Sequence, residues 1–448
     1  MRIELHHRKP ARTGAFQRPS TFRSEYDRPE RKRGARLMLG ESVVSAVVQG
    51  INGNFMGAFA LKLGASTLQM GWFSAMAELC SAFSQLMSPR VVGWMHGRKK
   101  MIITTAIVSA LPWGLIAMTP SLPEEYRVWA FMVVASLALS LLIMSDPAWG
   151  SWITDLVHTS RRGRYMGLRG SMVTLVSVVI GLSGAFMLDR LHGAVMWGFA
   201  IAFVIALIAR LVSALLFTQV VDPRPDIRLR PGVAPWHLFD HMGATKLGRY
   251  NLFILVFHFS MGFASPFFSV YLIRDLGVSY TTFVTLGVVS NIAVVLTMPF
   301  WGRIADKKGN LFVLGIGAAS VAVWPVMFIA VSEIWYLYAV HIIIGVLSAG
   351  WGLAVLNFVL ESADEADRPA AVGAFRAMAS LGLFSGTIIS GVLATRMPTI
   401  LTYQIATMFL ISGGMRLVSV AVLLPRVAGK KDTDAAPAKP AVAAQGGD

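Results

Sequence analysis

The stretch from Phe300 to Asn310, FWGRIADKKGN, sets four charges into eleven positions of a chain in which only 14% of residues are charged. Long apolar runs flank it, Thr281 to Trp301 before and Leu311 to Val331 after. Each run has about twenty residues, enough to cross roughly 30 Å of hydrocarbon as a helix. The charged stretch therefore reads as a tight connection between two membrane-spanning helices. Gly302 and Gly309 suit close backbone approach or a positive φ at such a connection. Asp306 is favoured near a helix N-terminus by the helix dipole, and Lys307 is placed to reach lipid headgroups or an acidic neighbour.

The same alternation runs through the whole chain. Of 448 residues, 55% are hydrophobic and 41 are Gly, and the mean hydropathy is +0.61, more apolar than one soluble domain can bury. Twelve apolar windows can be marked: 39–61, 67–88, 101–118, 128–156, 166–188, 194–218, 250–273, 281–301, 311–331, 334–360, 370–394 and 399–424. Backbone groups in lipid must be satisfied within their own segment, and none of the windows alternates with the period of a barrel strand, so all twelve are predicted to be helices.

Basic residues orient the predicted spans. Of the 40 Lys and Arg, 33 fall in the termini and connections on one side, whereas Lys62, Arg127, Arg190, Arg274 and Arg396 fall on the other. Lys and Arg concentrate on the cytoplasmic side of membrane proteins. The expectation is a multi-pass plasma or inner membrane protein with both termini cytoplasmic, and the net charge of +16 then needs no nucleic-acid partner. Residues 1–38, which include RPERKRGAR, are too polar to pack and are expected to be a disordered basic tail. The other boundaries are an amino-terminal six-helix bundle over 39–220, a cytoplasmic connection over 221–249, a carboxy-terminal bundle over 250–426, and a second disordered tail over 427–448. The single cysteine, Cys80, excludes an intramolecular disulfide and a cysteine-based metal cluster. There is no phosphate-binding Gly loop with Lys-Ser/Thr, no zinc-ligand spacing and no nucleophile triad. ATP-driven transport and enzymatic chemistry thus lack support, and no cofactor or metal is expected.

The chain repeats itself. Asp155 and Glu361, Arg162 and Arg368, Gly167 and Gly373, and Arg210 and Arg416 are each 206 residues apart, the last pair within RLVS at both places. Earlier in each half the offset is about 212, as from Gly97 to Gly309. Two six-helix halves of the same hand are the parallel repeats of a two-bundle transporter with a cavity between them.

On these residues the chain resembles the major facilitator superfamily. GRIADKKGN, through Gly302, Asp306, Lys307 and Gly309, is similar to that family's loop signature between helices 8 and 9. RVVGWMHGRKK is its degenerate first copy, with Gly97, Arg98, Lys99 and Lys100 kept but Trp94 where the acid should stand. A second resemblance is an acidic residue followed seven positions on by Arg, Asp155 with Arg162 and Glu361 with Arg368. The resemblance implies an all-α membrane fold of twelve transmembrane helices in two six-helix bundles, related by a pseudo-twofold along the membrane normal. It also implies secondary transport of a small molecule or ion by alternating access. Helix 5 lacks the Gly-Pro pattern that resembles drug antiporters, and the signature of sugar porters after helix 6 is absent.

Ionisable residues inside spans are candidates for function because each is costly in hydrocarbon. Asp146, followed by Pro147, and Glu78, whose counterpart at an offset of 213 is Asn291, are the proton-coupling candidates. Each also reads as a buried acid bonded to a neighbouring helix. Gln49, Asn52, Asn54, His258 and Asn291 are the cavity candidates, although a lone membrane His such as His258 or His341 also serves as an interhelical donor. Asp155, Arg162, Glu361, Arg368, Asp306, Lys307 and Arg98 form the expected cytoplasmic gate, ion pairs that bias one state of two bundles and break in the other. The alternative is that they only fix helix packing. Arg210 and Arg416, in peripheral helices of such a fold, are expected to snorkel toward the cytoplasmic surface. The expectation is a monomeric, proton-coupled transporter in a lipid bilayer. The rival is a transporter-like fold that holds a partner protein or pigment without turnover.

Overall fold

The structure is a computed structural model and describes residues 29–191, 193–224, 245–363, 368–394, 396 and 404–428. Twelve long helical elements follow one another: α1 Pro29–Lys62, α2 Thr67–Trp94, α3 Arg98–Met118, α4 Glu124–Leu156, α5 Thr159–Arg190, α6 Val195–Gln219, α7 Lys246–Asp275, α8 Tyr280–Lys308, α9 Asn310–Ala330, α10 Ile334–Ser362, α11 Arg368–Ala394 and α12 Gln404–Val422. A short α13, Leu424–Ala428, ends the described chain. Eleven of these helices are long and apolar enough to cross a membrane. The exception is α2, which carries Gln69, Glu78 and several serines; it is as long as its neighbours and packs between α4 and α11. Below, the end of the molecule carrying residue 29 and α13 is the terminal end, and the other is the distal end.

Three local features depart from smooth helices. The opening stretch is mostly not a loop: α8 runs through Lys308 and only Gly309, at φ +85°, separates it from α9. Gly97, at φ +144°, plays the same part before α3. In α4 the segments Glu124–Met144 and Asp146–Leu156 meet at Ser145, because Pro147 has no N–H to continue the ladder. In α7 the helix stops after Gly262 and resumes through Phe267–Ser269 and a π turn, Val270–Asp275.

The expectation of irregular chain up to residue 38 is corrected over its last part, since α1 begins at Pro29. The reason is tertiary. Gly34 and Met38 are buried, the Tyr165 hydroxyl donates to the Ala35 carbonyl over 2.9 Å, and Arg31 donates to the Asp155 carbonyl. Residues 1–28 and 429–448, with most of the 221–249 connection, lie outside the described residues.

The packing repeats with the sequence. In the first half α1 packs on α5 and α6, α2 on α4, and α3 on α4 and α6. In the second half α7 packs on α11 and α12, α8 on α10, and α9 on α10 and α12. The two halves meet through α2 with α11 and α5 with α8, pairs that exchange under the same twofold. One apolar core contains residues of both halves, among them Phe59, Phe131, Phe199 and Phe203 with Phe267, Tyr271, Leu286 and Phe409. These lie toward the distal end. Toward the terminal end the cores are separate: Met101, Trp152 and Phe217 belong to one half, and Tyr250, Phe253, Trp301 and Phe358 to the other. The described halves are therefore joined distally and keep apart terminally.

Candidate functional site

The terminal end of the first half is tied by a buried ion cluster. Arg98, wholly buried at the start of α3, reaches Asp155 of α4 at 2.7 Å and Asp222, just after α6, at 2.6 Å, and donates to Ser151 Oγ over 2.9 Å. Arg224 also pairs with Asp155, Lys99 donates to the Thr218 and Val220 carbonyls, and the Trp152 indole donates to the Val221 carbonyl. These partners of Asp155 belong to its own half. In the second half Asn310 stands at the place equivalent to Arg98 and donates to Glu361 over 2.9 Å in an exposed setting. Asp306 and Lys307 are exposed at the foot of α8. The side chains of Arg162 and Arg368 lie outside the described residues.

A second charged layer lies deeper. Asp146 is ten residues from the end of α4 at Leu156, Arg169 ten from the start of α5 at Thr159, Arg210 nine from the end of α6 at Gln219, and Arg376 eight from the start of α11 at Arg368. At the rise of an α-helix all four sit about 12–15 Å from the terminal ends of their helices. Glu41 of α1 joins them: 3% exposed, it accepts from Ser213 Oγ and Ser45 Oγ, each over 2.7 Å. Arg210 is buried beside it and donates to Ser109 Oγ over 2.8 Å. Arg169 is half-buried, donates from Nε to Ser42 Oγ over 2.9 Å, and lies over the Trp149 ring at 4.3 Å. Asp146 and Arg376 are both exposed and lie on opposite halves. The cations that act electrostatically on Asp146 are Arg376, Arg169 and Arg210.

The expectation that Arg210 and Arg416 snorkel is overturned, because both point into the bundle and are nearly fully buried. Arg416 donates to the Val321 carbonyl over 2.9 Å, at the place in α9 equivalent to Ser109 in α3. Its half offers a carbonyl where the first half offers a hydroxyl, and among the described residues no buried acid comparable to Glu41.

The remaining candidates divide. Gln49 and Asn291 are exposed, and Asn52 is half-buried. Asn54 donates to the Gly50 carbonyl over 2.7 Å and lies against Gly181, where a Cβ would come within 2.7 Å of its amide nitrogen. It thus seats α1 on α5. His258 meets the Ile254 carbonyl at 2.9 Å beside Trp351, and His341 meets the Leu337 carbonyl at 2.7 Å, so each is bonded to its own helix. Glu78 is half-buried with no hydrogen bond or ion pair among the described residues; it shares the α2 face of Gly71, two turns away.

The distal end holds a contact that sequence reasoning missed. Asp189, near the end of α5, accepts from the backbone N–H groups of Tyr280 at 2.9 Å and Thr281 at 2.8 Å, the first turn of α8 in the other half. A carboxylate there satisfies otherwise unpaired donors and meets the positive end of the helix dipole. At the same end Arg274 of α7 donates to Thr67 Oγ1 of α2 over 3.0 Å. Glu41, Arg169 and Arg376 were also missed. Glu41 falls inside the first apolar window, and a count of charges per window finds it. Arg169 and Arg376 fall inside the windows 166–188 and 370–394 but close to their starts, where they count with the connecting basic residues; α5 begins at Thr159 and α11 at Arg368, which puts both two to three turns inside.

Comparison with known proteins bears on this arrangement. A family profile described as Major Facilitator Superfamily matches residues 39–264 and again 250–445. An MFS-type transporter of Methanocaldococcus jannaschii is 20% identical over 368 residues, covering 80% of this chain and 91% of that protein. Among solved structures, the nucleoside transporter NupG superposes with a TM-score of 0.68 at 12% identity, over 89% of this chain and 100% of that one. A bacterial homologue of the iron transporter ferroportin, in an inward-facing state, gives 0.64 at 11% identity, over 89% and 99%. At these identities the likeness is one of fold.

Proposed function

The chain belongs to the major facilitator superfamily and is a membrane transporter of that type; from this premise we propose that it moves a small solute by alternating access coupled to protons. The observation that carries the reading is Asp146. It is an acid on a helix break, about halfway across the bilayer by helical rise, exposed and acted on by Arg376 of the other half, in a fold whose halves join at the distal end. An intramembrane acid reachable from water is the group a proton relay requires.

Orientation follows from the 33 basic residues gathered on the terminal side, which make that side cytoplasmic. The described conformation is then inward-open, with Asp189 and the α2–α11 contact closing the outside. Closing the cytoplasmic side would bring Asp306 and Lys307, at the foot of α8, against the basic start of α5, where Arg164 is exposed. The buried Arg98 cluster keeps α3, α4 and α6 together through the cycle. Glu78, without a polar partner among the described residues, is the second candidate for a titrating acid.

Reconstituted liposomes with a pH-sensitive dye inside test the coupling. Solutes that stabilise the purified protein should drive proton movement in the native chain and fail to do so in Asp146→Asn, which keeps its monodisperse elution and helical spectrum. Unchanged proton-linked flux in that variant removes Asp146 from the mechanism.

A further inference from the structure

We propose that the transported solute carries a carboxylate or phosphate group, held between Arg169 of the first half and Arg376 of the second. The inference rests on the transport reading and deepens it. The mid-depth layer contains three guanidinium groups, those of Arg169, Arg210 and Arg376, against two carboxylates, Glu41 and Asp146. Glu41 is already engaged, bonded to Ser45 and Ser213 beside Arg210. Arg169 is fixed through Nε by Ser42 and through its face by Trp149, which leaves both terminal amino groups without an acceptor among the described residues. Arg376 has no hydrogen bond or ion pair among the described residues, is exposed, and acts electrostatically on Asp146 of the other half.

Bare cations at this depth are costly. A guanidinium with its fork free matches the two oxygens of a carboxylate or phosphate. Because the two arginines belong to different halves, one anion bonded to both would favour the conformation in which the halves approach terminally. Asp146 is the resident competitor for the same cations. The charged groups around it are Arg169 on α5, Arg210 on α6 and Arg376 on α11, with Glu41 on α1 acting on the shared arginines. Protonation of Asp146 releases Arg169 and Arg376 to the incoming anion, so anion and proton travel in the same direction.

The test is thermal melting of the full chain in mild detergent, at constant ionic strength, against sodium succinate, sodium phosphate, choline chloride and glucose. Succinate or phosphate should protect saturably, more tightly at pH 6 than at pH 8. Arg376→Gln, at an exposed position where folding is not at risk, should weaken that affinity at least tenfold, and Arg376→Lys should restore part of it. In Asp146→Asn the affinity should no longer depend on pH. Preference for succinate assigns a carboxylate and preference for phosphate the other anion. Protection by choline or glucose alone, by no probe, or equally in Arg376→Gln overturns the proposal. An Arg376-dependent anion that liposomes fail to accumulate keeps the anion site and removes transport. Flux of a neutral solute without anion binding does the reverse.

Discussion

Arg98 and Asn310 occupy equivalent places in the two halves, so they show what one residue does to one corner of the fold. Arg98 is wholly buried between Asp155 and Asp222, whereas Asn310 meets Glu361 in an exposed setting. Removing one partner of a buried ion pair strands the others without water, at about 3–5 kcal/mol. A hydrogen bond at the surface contributes roughly 0.5–1.5 kcal/mol. Arg98→Ala is therefore expected to lower the melting temperature sharply and to reduce the yield of folded protein, while Asn310→Ala changes little. Equal losses in the two variants would show that the Arg98 cluster is not a fixed staple.

At the scale of elements, the distal closure uses two unlike devices. α2 and α11 approach through glycines: a Cβ on Gly71 would lie 2.5 Å from the Gly391 Cα, a distance no side chain can relieve. α5 and α8 use Asp189, which caps the first turn of α8 from the opposite half. Loss of a capping side chain costs about 0.5–2 kcal/mol, and here that cost falls on the distal-closed conformation alone. In Asp189→Ala the buried Val284 position should open more often. With Cys80→Ser as background, alkylation of Val284→Cys should speed up several-fold on adding Asp189→Ala, and an unchanged rate would deny the cap a role in closure. The twelve helices and the halves were legible because apolar length and the 206-residue offset are properties of the chain itself. The site was legible only in part. Asp146 and Glu78 stand out as charges within apolar runs, whereas Arg169 and Arg376 lie at the edges of their windows, and their depth shows only once α5 and α11 are seen to begin earlier. Gly309 alone turns α8 into α9, so the charged stretch that betrays the fold is mostly helix. Asp189 gave no signal, since its partners are backbone N–H groups of the other half, distant in sequence.

For the whole molecule, each half keeps five helix packings that its counterpart repeats, and among the described residues the halves share the two exchanging pairs, smaller distal contacts of α7 with α1 and α2, and one distal core. Alternating access then requires the five packings to persist while the shared contacts are traded from one end to the other. The separate terminal cores, around Trp152 in one half and Trp301 in the other, provide two rigid bodies for such a motion. Spin labels report it directly. One pair belongs at Arg164 of α5 and Arg303 of α8, exposed near the terminal end, and the other at Glu124 and Glu333, exposed at the distal end. A solute that binds the two halves together should shorten the first distance and lengthen the second in the same titration, with one midpoint. A label pair within one half, Arg164 with Trp94, should not change. If the terminal distance shortens while the distal one stays fixed, the halves close like a lid over a one-sided pocket, and rocking about the central layer of Asp146, Arg169 and Arg376 is excluded.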